Sequence, residues 1–279
     1  MHIDVDGHPI YGYTGGKALV AAQPTVVFIH GVLNDHSVWA LQSRYLAHHG
    51  WNVLAIDLPG HGRSAGAAPA TVEEGADFVL ALLDAVGALP GGMGAQRAAL
   101  VGHSWGSLIA LEAAARLRER ISRLALVGTA FPMKVAPALM AAALDDPHQA
   151  LRMVNLLSRS TLAAPPSALG PGTWVFGASM ALGRKLLRNH SAVNLFHRGL
   201  LACDSYANGA AAIAQLRCPV LFALGAQDRM TPPQAAQGLI RAAQAAGQRV
   251  QIAHLPVGHH PMTEAPEETL CALRAFLAG

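Results

Sequence analysis

Val101-Gly102-His103-Ser104-Trp105-Gly106 is the stretch on which the fold turns. Its Gly-x-Ser-x-Gly pattern sits where a short apolar run, 98–103, gives way to a predicted helix, 104–118. A serine at such a junction occupies a sharp turn with strained backbone angles. Glycines two positions on either side, lacking Cβ atoms, let strand and helix approach closely. The hydroxyl then stands above the sheet edge, at a helix N-terminus whose dipole favours developing negative charge. Alone the pentapeptide is a modest signal, because a glycine-rich turn can also carry an inert serine.

Outward from this motif the chain alternates. Residues 2–5 and 9–13, joined across Asp6-Gly7, predict a short hairpin. Residues 25–30 are a β-branched apolar run of the kind buried in a parallel sheet. A helix over 37–49, a strand over 51–57 and a Pro/Gly loop over 58–64 follow. Thr71 opens a helix over 71–86, with Glu73 and Glu74 in its first turn. A surface turn at 91–94 and a strand over 121–128 complete this half. The order predicts an α/β fold, a mostly parallel sheet with helices on both faces. The alternation then stops. Residues 132–204 read only as helical stretches, broken at Pro147, Pro165-Pro166 and Pro171-Gly172. Strands over 219–225 and 249–254, with helices over 232–246 and 264–277, resume the pattern. The expected organisation is a core of 1–131 and 205–279 with an inserted helical cap, 132–204. An excursion of that length from a compact domain is usually functional.

A serine nucleophile needs a base, and the base needs an orienting acid. Asp228 follows directly on the predicted strand 219–225, and Gly258-His259-His260-Pro261 occupies the loop after the last strand. Ser104, Asp228 and His259 thus come in the chain order Ser…Asp…His that suits a serine at a strand-to-helix turn. Asp204, at the end of the insertion, reads as a helix cap or a structural ion-pair partner.

With these segments the chain resembles the α/β-hydrolase fold family, over nearly its whole length outside the insertion. His30-Gly31, directly after a strand, resembles the family's HG turn, and Asp57-Leu-Pro-Gly-His-Gly-Arg-Ser64 resembles the loop after the next strand. The resemblance implies an oxyanion hole made by the backbone N–H groups of Val32 and Trp105. The family's base directly follows Gly, which favours His259 over His260; His260 is expected to line the entrance or bond locally. The family's alternative acid site falls near Gly128-Thr129, which offers no carboxylate, so Asp228 is favoured. Dehalogenases and epoxide hydrolases resemble members with an Asp nucleophile, and position 104 is Ser. Iminopeptidases carry an HGGPG turn where this chain has His30-Gly-Val-Leu-Asn34.

In the insertion, Met133, Trp174, Phe176 and Phe196 are candidates, with His260, for an apolar substrate site. They serve equally as the insertion's own core, the commoner role of such side chains. Eight Lys/Arg against three acids between residues 131 and 217 give that segment a net +5, and the remainder carries −2. A solvated helix face explains Arg184, Lys185 and Arg188 as well as an anion site does.

Composition narrows the alternatives. With 52% hydrophobic and 13% charged residues the 279-residue chain is neither disordered nor short of core material. No apolar run reaches the ~18 residues of a membrane span. The acidic N-terminus, without an apolar run after it, does not read as a secretory signal, so a soluble, cytoplasmic protein is expected. A net charge of +3 gives no reason to expect nucleic acid. Three widely spaced cysteines, Cys203, Cys218 and Cys271, form no metal or disulfide pattern. Gly60-His-Gly-Arg-Ser-Ala65 fits a dinucleotide fingerprint formally, but Gly66 and Pro69 follow where a helix must open. The expectation is a cofactor-free serine hydrolase acting on a small, apolar, ester-type molecule: a carboxylic ester, lactone or thioester. A carbon–carbon bond hydrolase or a ligand-binding, receptor-like member of the same fold are the alternatives.

Overall fold

Central strands buried at every position, on both faces, build a three-layer structure. In a computed structural model describing residues 1–89, 97–160, 174–189 and 193–279, eight strands form one sheet: β1 (His2–Val5), β2 (His8–Tyr13), β3 (Thr25–Ile29), β4 (Asn52–Ile56), β5 (Ala98–His103), β6 (Ile121–Val127), β7 (Val220–Gly225) and β8 (Val250–Leu255). Their order is β1-β2-β4-β3-β5-β6-β7-β8. The first two strands pair antiparallel and β2 pairs antiparallel with β4; every later pairing is parallel. Asp6 and Gly7, both at positive φ, make the tight turn expected of Asp-Gly.

Val27 and Ile29 of β3, with Leu100 of β5, face one core, which also holds α2 (Val72–Gly87), α3 (Trp105–Leu117), α8 (Gly209–Ala214) and α9 (Gln237–Ala245). Val26, Phe28 and Val101 face the other, against α1 (Ala40–Ala47) and α11 (Pro266–Ala278). The period of two is therefore apolar on both faces, as a doubly covered sheet requires.

Between β6 and β7 no strand occurs among the described residues. Four helices, α4 (Pro137–Asp145), α5 (Pro147–Ser158), α6 (Val175–Asn189) and α7 (Leu195–Ser205), precede α8 and gather a third apolar cluster around Leu139, Ala143, Leu151, Met180, Leu186 and Phe196. The expected turn at 91–94 and the breaks at Pro165-Pro166 and Pro171-Gly172 lie outside the described residues. Several element boundaries differ from expectation; the helix over 232–246 opens as a 3-10 turn, Pro233–Ala236, before α9. The helix over 37–49 starts as a 3-10 turn, His36–Trp39, because the Asp35 side chain caps Ser37 and tightens the entry. The final helix, α11, starts at Pro266 and not at Glu264, because Pro266 favours a non-helical Ala265 before it; a separate short helix, α10 (Pro261–Glu264), precedes it.

The connections leaving β3 and β5 run to opposite sides of the sheet, so the carboxyl ends of these neighbours form a topological switch point. Open α/β sheets bind ligands at such a crevice. No helix among the described residues is long and apolar enough to cross a membrane.

Candidate active site

Ser104 stands at that crevice, on the turn from β5 into α3. Its backbone has φ 52° and ψ −121°, a left-handed conformation that costs a non-glycine residue strain. The neighbouring glycines show why the motif has its spacing. A Cβ on Gly102 would overlap the Gly106 carbonyl, and one on Gly106 would overlap the His30 carbonyl. The Ser104 N–H donates to Val127 O at 2.9 Å, which ties the turn to β6.

The His30-Gly31 turn packs directly on this serine. His30 Nε2 accepts the Leu58 N–H at 3.1 Å, so its proton sits on Nδ1 and is donated to Gly31 O at 2.8 Å. Burial lowers the His30 pKa and keeps the ring neutral, as these two bonds require. A Cβ on Gly31 would lie 3.1 Å from Ser104 Cβ and 2.9 Å from His103 Nδ1, contacts that leave no room for a side chain. Val32 lines the cavity above Ser104. Trp105 is the first residue of α3, so its N–H has no carbonyl acceptor one turn back. The two N–H groups expected from the resemblance to bind an oxyanion thus belong to segments that flank Ser104.

Asp228 follows β7 and His259 follows β8, and their side chains meet. His259 Nδ1 lies 2.8 Å from Asp228 Oδ2, with both groups buried. Asp228 Oδ1 accepts the Met230 and Thr231 N–H groups, each at 2.8 Å, and Oδ2 also accepts the Thr231 hydroxyl at 2.7 Å. Burial opposes ionisation of Asp228, but His259 and the Thr231 donors outweigh it and hold the carboxyl below its ordinary pKa. A charged acid therefore faces Nδ1, which fixes the proton there and leaves Nε2 as the basic nitrogen.

Sequence reasoning passed over two neighbours. Thr231 touches both partners, since its Oγ1 is also 3.1 Å from His259 Nδ1; its position three residues after Asp228 was a readable sign of a side-chain-capped turn. His103, inside the serine motif, donates Nε2–H to His259 O at 2.7 Å. Burial and the nearby His259 push its pKa down to about 3, so it acts as a neutral donor.

Ser104 and His259 line one cavity of about 330 Å³, floored by the sheet loops and walled by α4, α5 and α7. Of the expected substrate-site residues, Met133, Phe196 and His260 line it. Burial, then the charges of Arg159, His103 and His259, push the His260 pKa well down, which makes it a neutral wall. Trp174 and Phe176 are not brought there. Their rings pack on each other, 5.4 Å apart, and Trp174 is 59% exposed. An apolar residue in an insertion can face outward as easily as inward, and composition does not tell the two apart. Asp204 takes the structural role, accepting the Val135 N–H at 2.9 Å and pairing with Lys134 at 3.6 Å. Asp35, His36 and Asp57 bring three possible ligand atoms within 4.8 Å of one another. Those atoms already bond one another or neighbouring groups across the loops after β3 and β4: Asp57 Oδ1 holds His36 at 2.7 Å, and Asp35 Oδ1 holds Ser37 N at 2.9 Å.

Known proteins resemble this chain over much of its length. Over 94% of its length the chain is 28% identical to a pimeloyl-[acyl-carrier protein] methyl ester esterase of Neisseria meningitidis, spanning 97% of that protein. It is 36% identical over 126 residues to the dihydrolipoyllysine-residue acetyltransferase component of an acetoin cleaving system of Cupriavidus necator, but spans only 30% of that longer protein. Among solved structures, the enol-lactonase of Burkholderia xenovorans superposes with a TM-score of 0.78 at 21% identity, each chain covered completely. The model of the alpha/beta hydrolase family matches residues 26–273, and the chain belongs to that family.

Proposed function

We propose that the protein is a serine hydrolase that cleaves a small or medium carboxylic ester, lactone or thioester through an acyl-enzyme. The observation that carries this reading is the Asp228–His259 bond of 2.8 Å beside Ser104, which lines the same cavity from a strained turn. His259 Nε2 takes the Ser104 proton as the hydroxyl attacks the carbonyl carbon. The N–H groups of Val32 and Trp105 hold the oxyanion; one such donor typically contributes ~10²–10³ in turnover. His259 passes its proton to the leaving alcohol, and water, activated by the same ring, releases the acid and restores Ser104. Asp228 keeps the imidazole oriented and stabilises its cation throughout.

The cavity is at the small end of the range for ligand pockets and has mainly apolar walls, which suits a small or medium acyl group. Met133, Phe196 and His260 are the proposed substrate contacts, and the helical segment 132–204 is the proposed cap. Full-length similarity to a methyl ester esterase supports ester chemistry. Three unpaired cysteines suit a reducing compartment such as the cytoplasm.

Hydrolysis of p-nitrophenyl esters from acetate to laurate, with Ser104→Ala beside the native protein, tests the proposal. Turnover that the variant loses by ~10⁴-fold or more is expected for removal of the nucleophile. Equal activity of the two would remove Ser104 from the mechanism. Equal inactivity would bring forward carbon–carbon bond hydrolysis or ligand binding without turnover.

A further inference from the structure

The loop that carries His259 is held from an unexpected side. Three successive backbone N–H groups point to one partner unit: Gly258 N donates to Glu264 Oε2 at 3.4 Å, His259 N to Ser158 O at 2.6 Å and His260 N to Glu264 Oε1 at 3.3 Å. Ser158 ends α5, in the helical segment, whereas Glu264 ends α10, in the sheet region. The two sides are bonded to each other. Glu264 Oε2 accepts the Ser160 N–H at 2.9 Å and the Ser160 hydroxyl at 2.8 Å. Arg159, between them, has a side chain only 2% exposed; its Nη1 lies 3.8 Å from Glu264 Oε1 and 3.1 Å from Thr263 Oγ1, and Nη2 bonds Ser179 of α6. A Cβ on Gly258 would overlap the Ser158 carbonyl, so the strap 158–160 lies directly on the histidine loop.

We propose that Arg159 and Glu264 are positioning residues: their buried pair clamps the strap 158–160 onto the His259 loop and so fixes the catalytic ring in its working pose. The inference rests on His259 serving as the base. Neither side chain lines the cavity, so neither touches a substrate directly, and the hydrogen-bonded strap is their structural route to His259. The Ser104–His259 proton transfer depends on ring placement, and a shift of about 1 Å costs on the order of 10²-fold. Substrate binding, made by other walls, is little affected.

The test is steady-state hydrolysis of p-nitrophenyl butyrate by Arg159→Met/Glu264→Gln, Arg159→Lys and Ser160→Ala, on protein whose folded fraction is measured by circular dichroism. Removing both charges together avoids stranding one of them in the interior, so the double variant is expected to fold. It should lose roughly 10- to 100-fold in kcat with KM within about twofold. Arg159→Lys, which keeps the charge but not the fork, should recover part of that loss. Ser160→Ala deletes one bond to Glu264 and should lose about fivefold, the equivalent of one hydrogen bond; it keeps the test open should the double variant not fold. Native kcat per folded molecule in the variants, whatever their melting temperature, overturns the proposal, as does a rise in KM alone. Ser104→Ala, run alongside, separates the two readings. If it is inactive while the double variant is native-like, only the clamp fails; if it remains active, the site assignment itself fails.

Discussion

The parallel sheet and the helical segment between β6 and β7 are built by different means. In the sheet, the central strands send alternate side chains to two apolar cores, as Val26 and Phe28 do on one face and Val27 and Ile29 on the other. All parallel strands end at one edge, so a residue placed shortly after a strand reaches the site whatever its distance along the chain. Asp228 and His259 meet this way, and His259 lines one cavity with Ser104. The helical segment has a smaller core of its own, around Leu151, Met180 and Phe196. Polar anchors tie it to the sheet region: Arg159, just after α5, on Glu264, and Tyr206 and Asn208, just past the segment, on Glu112. The contrast puts the proposed reacting groups on the sheet and much of the cavity's lining on the helices.

Asp228→Asn is the strongest way to break that division. The amide keeps an oxygen for the Met230 and Thr231 N–H groups, so the turn after β7 should persist, while the acid opposite Nδ1 is lost. A fall in kcat of about 10⁴-fold is expected, with an unchanged far-ultraviolet dichroism spectrum. A loss below tenfold would mean that the orienting charge is not in the sheet loops.

Phe196→Ala acts on the other half. This ring is 2% exposed, belongs to the segment's core and also lines the cavity. Truncation should cost ~3–5 kcal/mol in stability, measured by urea denaturation. The enlarged cavity should shift the kcat/KM preference toward longer p-nitrophenyl esters, by roughly tenfold between butyrate and octanoate. If stability falls and the chain-length profile stays put, the helical segment covers the site without setting its size.

The same division explains what could be read from the sequence. Strand-length apolar runs, glycine spacing and residues just past strand ends are local signals, and they located the sheet, the serine turn and the Asp228 and His259 loops. Thr231 was also local, three residues beyond Asp228, and was simply not used. Arg159 and Glu264 lie 105 positions apart and meet only because α5 returns to the sheet edge. Nothing local to Arg159 distinguishes it from the solvated cations of its neighbourhood. Phe196 and Trp174 are equally apolar, yet one is buried at the cavity and the other faces outward. Trp174 precedes the first residue of α6 and Phe196 is the second of α7, positions that a helical period orients poorly.

The smallest expected effect concerns the anchor at Glu112, on α3. Its side chain is 5% exposed; Oε2 accepts from Tyr206 Oη at 2.7 Å and Asn208 Nδ2 at 2.9 Å, and Oε1 from Arg116 Nε at 2.8 Å. Burial opposes its ionisation, but the Asn208, Tyr206 and Arg116 hydrogen bonds outweigh it and hold the folded-state pKa below the ordinary value. A depressed carboxyl pKa contributes stability that is fully present above the unfolded value, about 4.3, and is lost as pH falls through the folded one. Glu112→Gln should therefore cost ~1–3 kcal/mol at neutral pH, because an amide cannot accept from all three donors. The melting-temperature gap between native and variant should stay constant from pH 8 to about pH 5 and narrow below about pH 4. Turnover near pH 7 should stay close to native, since Glu112 does not line the cavity. A gap that widens in acid would reverse the sign of the linkage. A large fall in kcat would mean that the anchor at the far end of the helices also holds the catalytic geometry, a role argued above only for Arg159 and Glu264.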